Sequence, residues 1–211
     1  MVNPKTWVKI CGTTNLEDAL AAVQAGADAV GFIFAPASPR EITREEAAKI
    51  LPQIPPAILS IGVVVNENTD YLKGLLRVCP LQGLQFHGEE SPEEVLALRG
   101  QVKFLIKAIR VKDASSLAQI PLYKGVDAVL LDAYRPDKRG GTGAPFEWSL
   151  VSKAKEYGIP VIVAGGLTPE IVGDVIRKTQ PFGVDVVSGV ESSRGRKNPR
   201  LVREFLLRAK E

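Results

Sequence analysis

The sequence predicts an α/β chain folded as one (β/α)8 barrel of parallel strands, a single domain over residues 1–211. Three observations carry this. Short apolar runs rich in Val and Ile alternate with helical patterns along the chain, as in a parallel sheet covered by helices. Eight such strand–helix units can be counted, and eight units close into a barrel. No Pro/Gly/Ser-rich linker divides them. Cys11-Gly12-Thr13-Thr14, after the first strand, lacks the glycine fingerprint of an open dinucleotide-binding sheet.

The expected strands are residues 7–11, 29–34, 59–65, 83–86, 104–109, 128–132, 160–164 and 184–188. Helices fill the gaps. Asn15 is placed to cap the first, and Gly26 to end it. Thr43-Arg44-Glu45-Glu46 has the spacing of a capping box. Ser91-Pro92, Thr168-Pro169 and Asn198-Pro199 each put a capping residue before a proline at the first helical position. Further helices are expected over 70–79, around 114–120 and over 148–157.

Composition narrows the function. Hydrophobic residues make up 45% and charged residues 24%, the balance of a globular chain. No apolar run reaches the length of a membrane-spanning helix. The N-terminus lacks the pattern of a signal peptide, so a cytoplasmic protein is expected. Two cysteines make no disulfide framework, and with one histidine they disfavour a zinc site. A net charge of +3, with basic and acidic residues interspersed, argues against a nucleic-acid partner and suits a small anionic ligand.

In a barrel, chemistry sits at the carboxyl ends of the strands. The first strand ends at Cys11. Strand alternation puts Lys9 and Cys11 on the face opposite Val8 and Ile10, hence inside the barrel. A cation beneath a thiol favours the thiolate. Alternation also turns Asp185 inward, on a strand adjacent to the first in a closed barrel, so a Lys9–Asp185 pair is expected. Arg40 follows a proline-stiffened loop, and its guanidinium fork suits a carboxylate or phosphate. His87, the single histidine, closes the fourth strand, and Lys107 is an interior or rim residue of the fifth. Asp132 ends the sixth strand after four apolar residues, a costly place for a carboxyl unless it is hydrogen-bonded or held for chemistry. Arg139-Gly140-Gly141-Thr142-Gly143 suits a mobile flap over a site or, equally, a plain flexible loop. Gly165-Gly166 after the seventh strand and Ser188-Gly189 after the eighth are the ingredients of a barrel phosphate site.

Several of these stretches together resemble the phosphoribosylanthranilate isomerase family of tryptophan biosynthesis. They are Val8-Lys9-Ile10-Cys11-Gly12, Ser38-Pro39-Arg40, Gln85-Phe86-His87-Gly88, Leu130-Leu131-Asp132, Gly140-Gly141-Thr142-Gly143, Ala164-Gly165-Gly166-Leu167 and Asp185 through Glu191. Phe86 stands where the family more often has leucine, and Val187 where it often has serine. The resemblance implies an Amadori rearrangement without cofactor or metal. Asp132 is then the general acid and Cys11 the general base. Arg40 holds the anthranilate carboxylate, and the backbone at Gly165, Gly166, Ser188 and Gly189 holds the phosphate. His87 and Asp185 are the remaining binding residues. The implied partner is a small phosphosugar–anthranilate substrate, with no nucleic acid or membrane, on a monomer or homodimer.

Three rivals make different demands. A related isomerase of histidine synthesis is expected to carry aspartate where Cys11 stands, and indole-glycerol-phosphate synthase to depend on lysine and glutamate at the rim. A non-catalytic phosphate-ligand sensor would bind substrate without turnover.

Overall fold

Eight short, mostly apolar strands close on one another. The structure, a computed structural model, describes residues 6–36, 38–133 and 148–211. The strands are β1 (Trp7–Ile10), β2 (Ala29–Ile33), β3 (Leu59–Val64), β4 (Gly83–Phe86), β5 (Phe104–Val111), β6 (Ala128–Ala133), β7 (Val161–Ala164) and β8 (Gly183–Val186). They form a closed barrel in that order, with β1 and β8 paired in parallel and Lys9 level with Asp185.

Alternation sorts each strand between two cores. Ala29, Ile61, Ile106, Ala108, Ala128, Leu130, Ile162 and Ala164 form one buried cluster, the barrel interior. Trp7 closes its lower end, stacked on Phe104 with ring centroids 5.8 Å apart. Val8, Ile10, Val30, Phe32, Leu105, Ile109, Val129, Leu131, Val184 and Val186 point the other way, into a larger cluster shared with the helices. Each fully buried Val, Ile, Leu or Phe contributes about 1.5–3 kcal/mol of transfer free energy.

The outer layer holds α1 (Leu16–Gln24), α2 (Arg44–Ile50), α3 (Thr69–Val78), α4 (Pro92–Leu96), α5 (Ser149–Lys155), α6 (Pro169–Thr179) and α7 (Pro199–Lys210). Asn15 accepts from the Asp18 amide, and Thr43 and Ser91 close full capping boxes. The Asn198 side chain accepts from the Arg200 and Leu201 amides, whereas Thr168 makes no side-chain cap bond.

Three local expectations need correction. The crossover between β5 and β6 is a 3-10 segment, Ala114–Tyr123, not an α-helix. Pro121 lies inside it and has no amide to donate, so α-helical pairing cannot run through. β5 extends to Val111, which brings Arg110 onto the inward face. β8 stops at Val186, and Ser188–Val190 form a 3-10 turn. A short hairpin follows that the sequence did not announce, β9 (Glu191–Ser193) paired with β10 (Arg196–Lys197).

Candidate active site

A cavity of about 440 Å³ opens at the carboxyl ends of the strands. Arg40, His87, Asp132, Gly165, Gly166, Asp185, Ser188 and Gly189 all line it. Eight of the nine residues singled out in the sequence therefore converge on one space. The ninth, Cys11, lies beneath the wall with 2% exposure. The Arg139–Gly143 segment lies outside the described residues.

The floor is a polar cluster. Lys9 is fully buried, and its ammonium donates to Asp185 Oδ1 at 3.0 Å and to Gln85 Oε1 at 2.9 Å. The expected Lys9–Asp185 pair thus forms. Burial opposes the charge on Lys9, but Asp185 and Cys11 outweigh it and raise the pKa above the ordinary lysine value. Gly31 on β2 leaves the room: a Cβ there would stand 2.6 Å from Cys11 Sγ and 2.9 Å from Lys9 Cε.

Burial is the largest influence on Cys11 and pushes its thiol up; Lys9 and Lys197 pull it down without cancelling the rise. The free protein therefore holds a thiol that two nearby cations prime for ionisation, rather than a standing thiolate.

Lys197 and Glu191 were not found in the sequence as site residues. Lys197 Nζ, on β10, donates to the Cys11 carbonyl at 2.6 Å, the Val187 carbonyl at 3.0 Å and Glu191 Oε1 at 3.3 Å. It ties the end of β1 to the turn after β8. Glu191 in turn accepts from Arg40 Nε at 2.8 Å and Nη2 at 2.7 Å. Burial would raise the Glu191 carboxyl, but Arg40 and Lys197 outweigh it and hold it below the usual carboxylate range. The side of the Arg40 fork is thereby occupied, and the end-on fork formed by Nη1 and Nη2 is the face Glu191 leaves for an anion. No spacing signal links residues 40, 191 and 197; only the fold brings them together.

Asp132 is not the buried carboxyl its apolar neighbours suggested. Its side chain is 34% exposed at the rim, with Oδ2 3.4 Å from His87 Nε2. As the last inward residue of its strand it rises out of the packed interior into the cavity. Arg110, also lining the cavity, was missed because its strand was ended two residues early; continued alternation from Ile106 and Ala108 would have found it.

Beside Asp132, which is level with Ala164 on the neighbouring β7, two backbone loops meet. Gly165 and Gly166 have φ of 92° and 71°, which glycine adopts without strain. A Cβ on Gly189 would stand 1.8 Å from the Leu167 carbonyl oxygen, so only glycine lets the loops after β7 and β8 approach this closely. The mouth thus offers a carboxyl, a thiol, a guanidinium and a glycine-lined backbone surface around one small cavity.

Comparison with known proteins gives one consistent answer. Residues 8–208 match the family model described as N-(5'phosphoribosyl)anthranilate (PRA) isomerase. The N-(5'-phosphoribosyl)anthranilate isomerase of Geobacter sulfurreducens is 50% identical over 203 residues, covering 96% of this chain and 98% of that protein. The crystal structure of phosphoribosyl anthranilate isomerase from Thermotoga maritima superposes with a TM-score of 0.90 at 38% identity, covering 97% of this chain and 98% of that one. A crystal structure of such an isomerase in complex with reduced 1-(o-carboxyphenylamino)-1-deoxyribulose 5-phosphate gives a TM-score of 0.87 at 36% identity, over 97% of this chain and 98% of that one.

Proposed function

Because the chain belongs to the N-(5'-phosphoribosyl)anthranilate isomerase family, we propose that it converts N-(5-phosphoribosyl)anthranilate to 1-(2-carboxyphenylamino)-1-deoxyribulose 5-phosphate in tryptophan biosynthesis. The observation that carries this reading is the convergence of Asp132, Arg40 and both glycine loops on one cavity with Cys11 under its wall.

The reaction needs an acid and a base at different points of the sugar. Asp132 protonates the ribose ring oxygen, and the ring opens to a Schiff base. Cys11, as thiolate, removes the proton from C2. The resulting enolamine tautomerises to the ketone. The two groups stand in different environments, a rim carboxyl open to the cavity and a buried thiol near two cations. Arg40 receives the anthranilate carboxylate on its end-on fork. The phosphate sits against the backbone of Gly165, Gly166, Ser188 and Gly189, where amide groups can hold an anion. Asp185 faces the sugar while pairing with Lys9, and His87 binds beside Asp132. All the residues named belong to one chain, so either a monomer or a homodimer serves. Cys11 and Cys79 are both free, which suits the reducing cytoplasm.

The test is the loss of anthranilate fluorescence as substrate is consumed. Cys11→Ser and Asp132→Asn should each lose about 10²–10⁴-fold in kcat, the usual contribution of a positioned acid or base. Wild-type turnover in both variants would refute the assignment.

A further inference from the structure

We propose that Gln85 is a positioning residue that fixes the tautomer of His87 and so keeps the proton of Asp132 available to substrate. The proposal rests on the reading of Asp132 as the general acid.

Gln85 points into the barrel from β4 and is 1% exposed. Its Oε1 lies 2.9 Å from Lys9 Nζ, and its Nε2 lies 3.1 Å from His87 Nδ1. An ammonium has three donors and no acceptor. Lys9 is in turn held by Asp185, so the oxygen of the Gln85 amide must be the atom that faces it. The amide nitrogen is thereby turned to His87. That nitrogen can only donate, so His87 Nδ1 must accept. In a neutral imidazole the proton then resides on Nε2, the atom aimed at Asp132 Oδ2. Donation runs in one direction through four side chains: Lys9 to Gln85, Gln85 to His87, His87 to Asp132.

The direction matters for an acid. When Asp132 carries the proton it gives to substrate, Nε2–H donating to Oδ2 leaves that proton on the other oxygen. In the opposite tautomer a lone pair on Nε2 would face the carboxyl. The acid proton would then sit between Oδ2 and Nε2, or pass to the ring as an imidazolium–carboxylate pair, and the substrate oxygen would lose its donor. A hydrogen on Nδ1 would meet the amide N–H of Gln85. Flipping that amide would set two donors against each other at Lys9.

His87 is the only histidine of the chain, so one imidazole carries the whole readout. Nitrogen-15 long-range correlation spectra of the full-length protein, at about pH 8, above the ordinary histidine range, should show an unprotonated Nδ1 and a protonated Nε2. An Nδ1–H tautomer, or a doubly protonated ring, in the wild-type protein overturns the proposal, and this needs no variant to fold. Gln85→Glu replaces the donor at Nδ1 by an acceptor. It should move a proton onto Nδ1 and lower kcat by about 10²-fold, the lower end of a general-acid contribution, with KM within a few-fold. Gln85→Met removes the directing contact without reversing it and should cost less. If Gln85→Glu reverses the tautomer while kcat stays at the wild-type level, the tautomer has no bearing on the acid and the proposal fails. Full turnover in Asp132→Asn, by contrast, removes Asp132 as the acid and leaves the tautomer assignment standing.

Discussion

Two buried lysines sit on neighbouring layers of the same barrel, and what they touch differs. Lys9 lies inside it and reaches only side chains, Asp185, Gln85 and the Cys11 thiol. Lys107 lies on the outward face of β5, between sheet and crossover, with its ammonium 5.5 Å from the Tyr123 ring centroid. It donates to the Gly88 carbonyl at 2.7 Å and to Glu90 Oε2 at 2.6 Å. Glu90 itself accepts from the backbone amides of Asn66 and Gly88, and its carbonyl accepts from Tyr123 Oη. The Lys107–Glu90 pair therefore organises backbone, fixing the loops after β3 and β4. The Lys9–Asp185 pair organises side chains around the Cys11 thiol. A buried ion pair is weak evidence of net stability; what its members hold says more about its use.

The largest expected effect follows from breaking the outer pair alone. Lys107→Met leaves Glu90 buried with 3% side-chain exposure and no cation. Removing one member of a buried pair costs about 3–5 kcal/mol. The denaturant midpoint should drop accordingly, with the kcat of the folded fraction close to wild type. A large kcat loss at unchanged stability would reverse the assignment of the two pairs.

Lys9→Met should show the opposite profile. Asp185 lines the cavity, so water can reach the carboxylate left behind, and the stability cost should be on the order of 1–3 kcal/mol. The effect should appear in chemistry instead. Burial already pushes the Cys11 thiol up, and Lys9 is the strongest influence pulling it down. With that charge gone, the rising limb of kcat/KM against pH, which reports the free enzyme's base, should move to higher pH. An unmoved limb would show that Lys9 does not tune Cys11.

The contrast between the two lysines also marks what could be read from sequence. The inward placement of Lys9, Cys11 and Asp185 was legible because β1 and β8 are short and their polar residues fall at alternate positions. Lys107, expected inside the barrel or at its rim, faces outward instead and was not legible in the same way. Its neighbours Ile106 and Ala108 are apolar like Leu105 and Ile109, and a strand buried on both faces carries no alternation to say which way a residue points. The order of the barrel and the glycine loops after β7 and β8 were readable as local patterns. Glu191 and Lys197 were not, because they meet Arg40 and the Cys11 carbonyl only after the last strand closes against the first. The exposure of Asp132 was misjudged because a strand's last inward residue faces the cavity rather than the packing of the residues before it.

The smallest expected effect separates the pairs by pH. Burial would raise Glu90, but the Lys107 hydrogen bond and the loop amides outweigh it and hold its carboxyl below the ordinary glutamate value. Below that ordinary value the unfolded chain binds this proton more readily than the folded one, so stability falls with pH. The contribution is fully present above the ordinary glutamate range and is lost as pH drops through the depressed folded-state value. Wild-type protein should therefore lose stability on the acid side more steeply than Glu90→Gln, in which the titrating group is absent. Denaturant melts taken from neutral pH downward measure the two slopes. Parallel slopes would mean that Lys107 and the loop amides leave the carboxyl of Glu90 no more acidic in the folded chain than in the unfolded one.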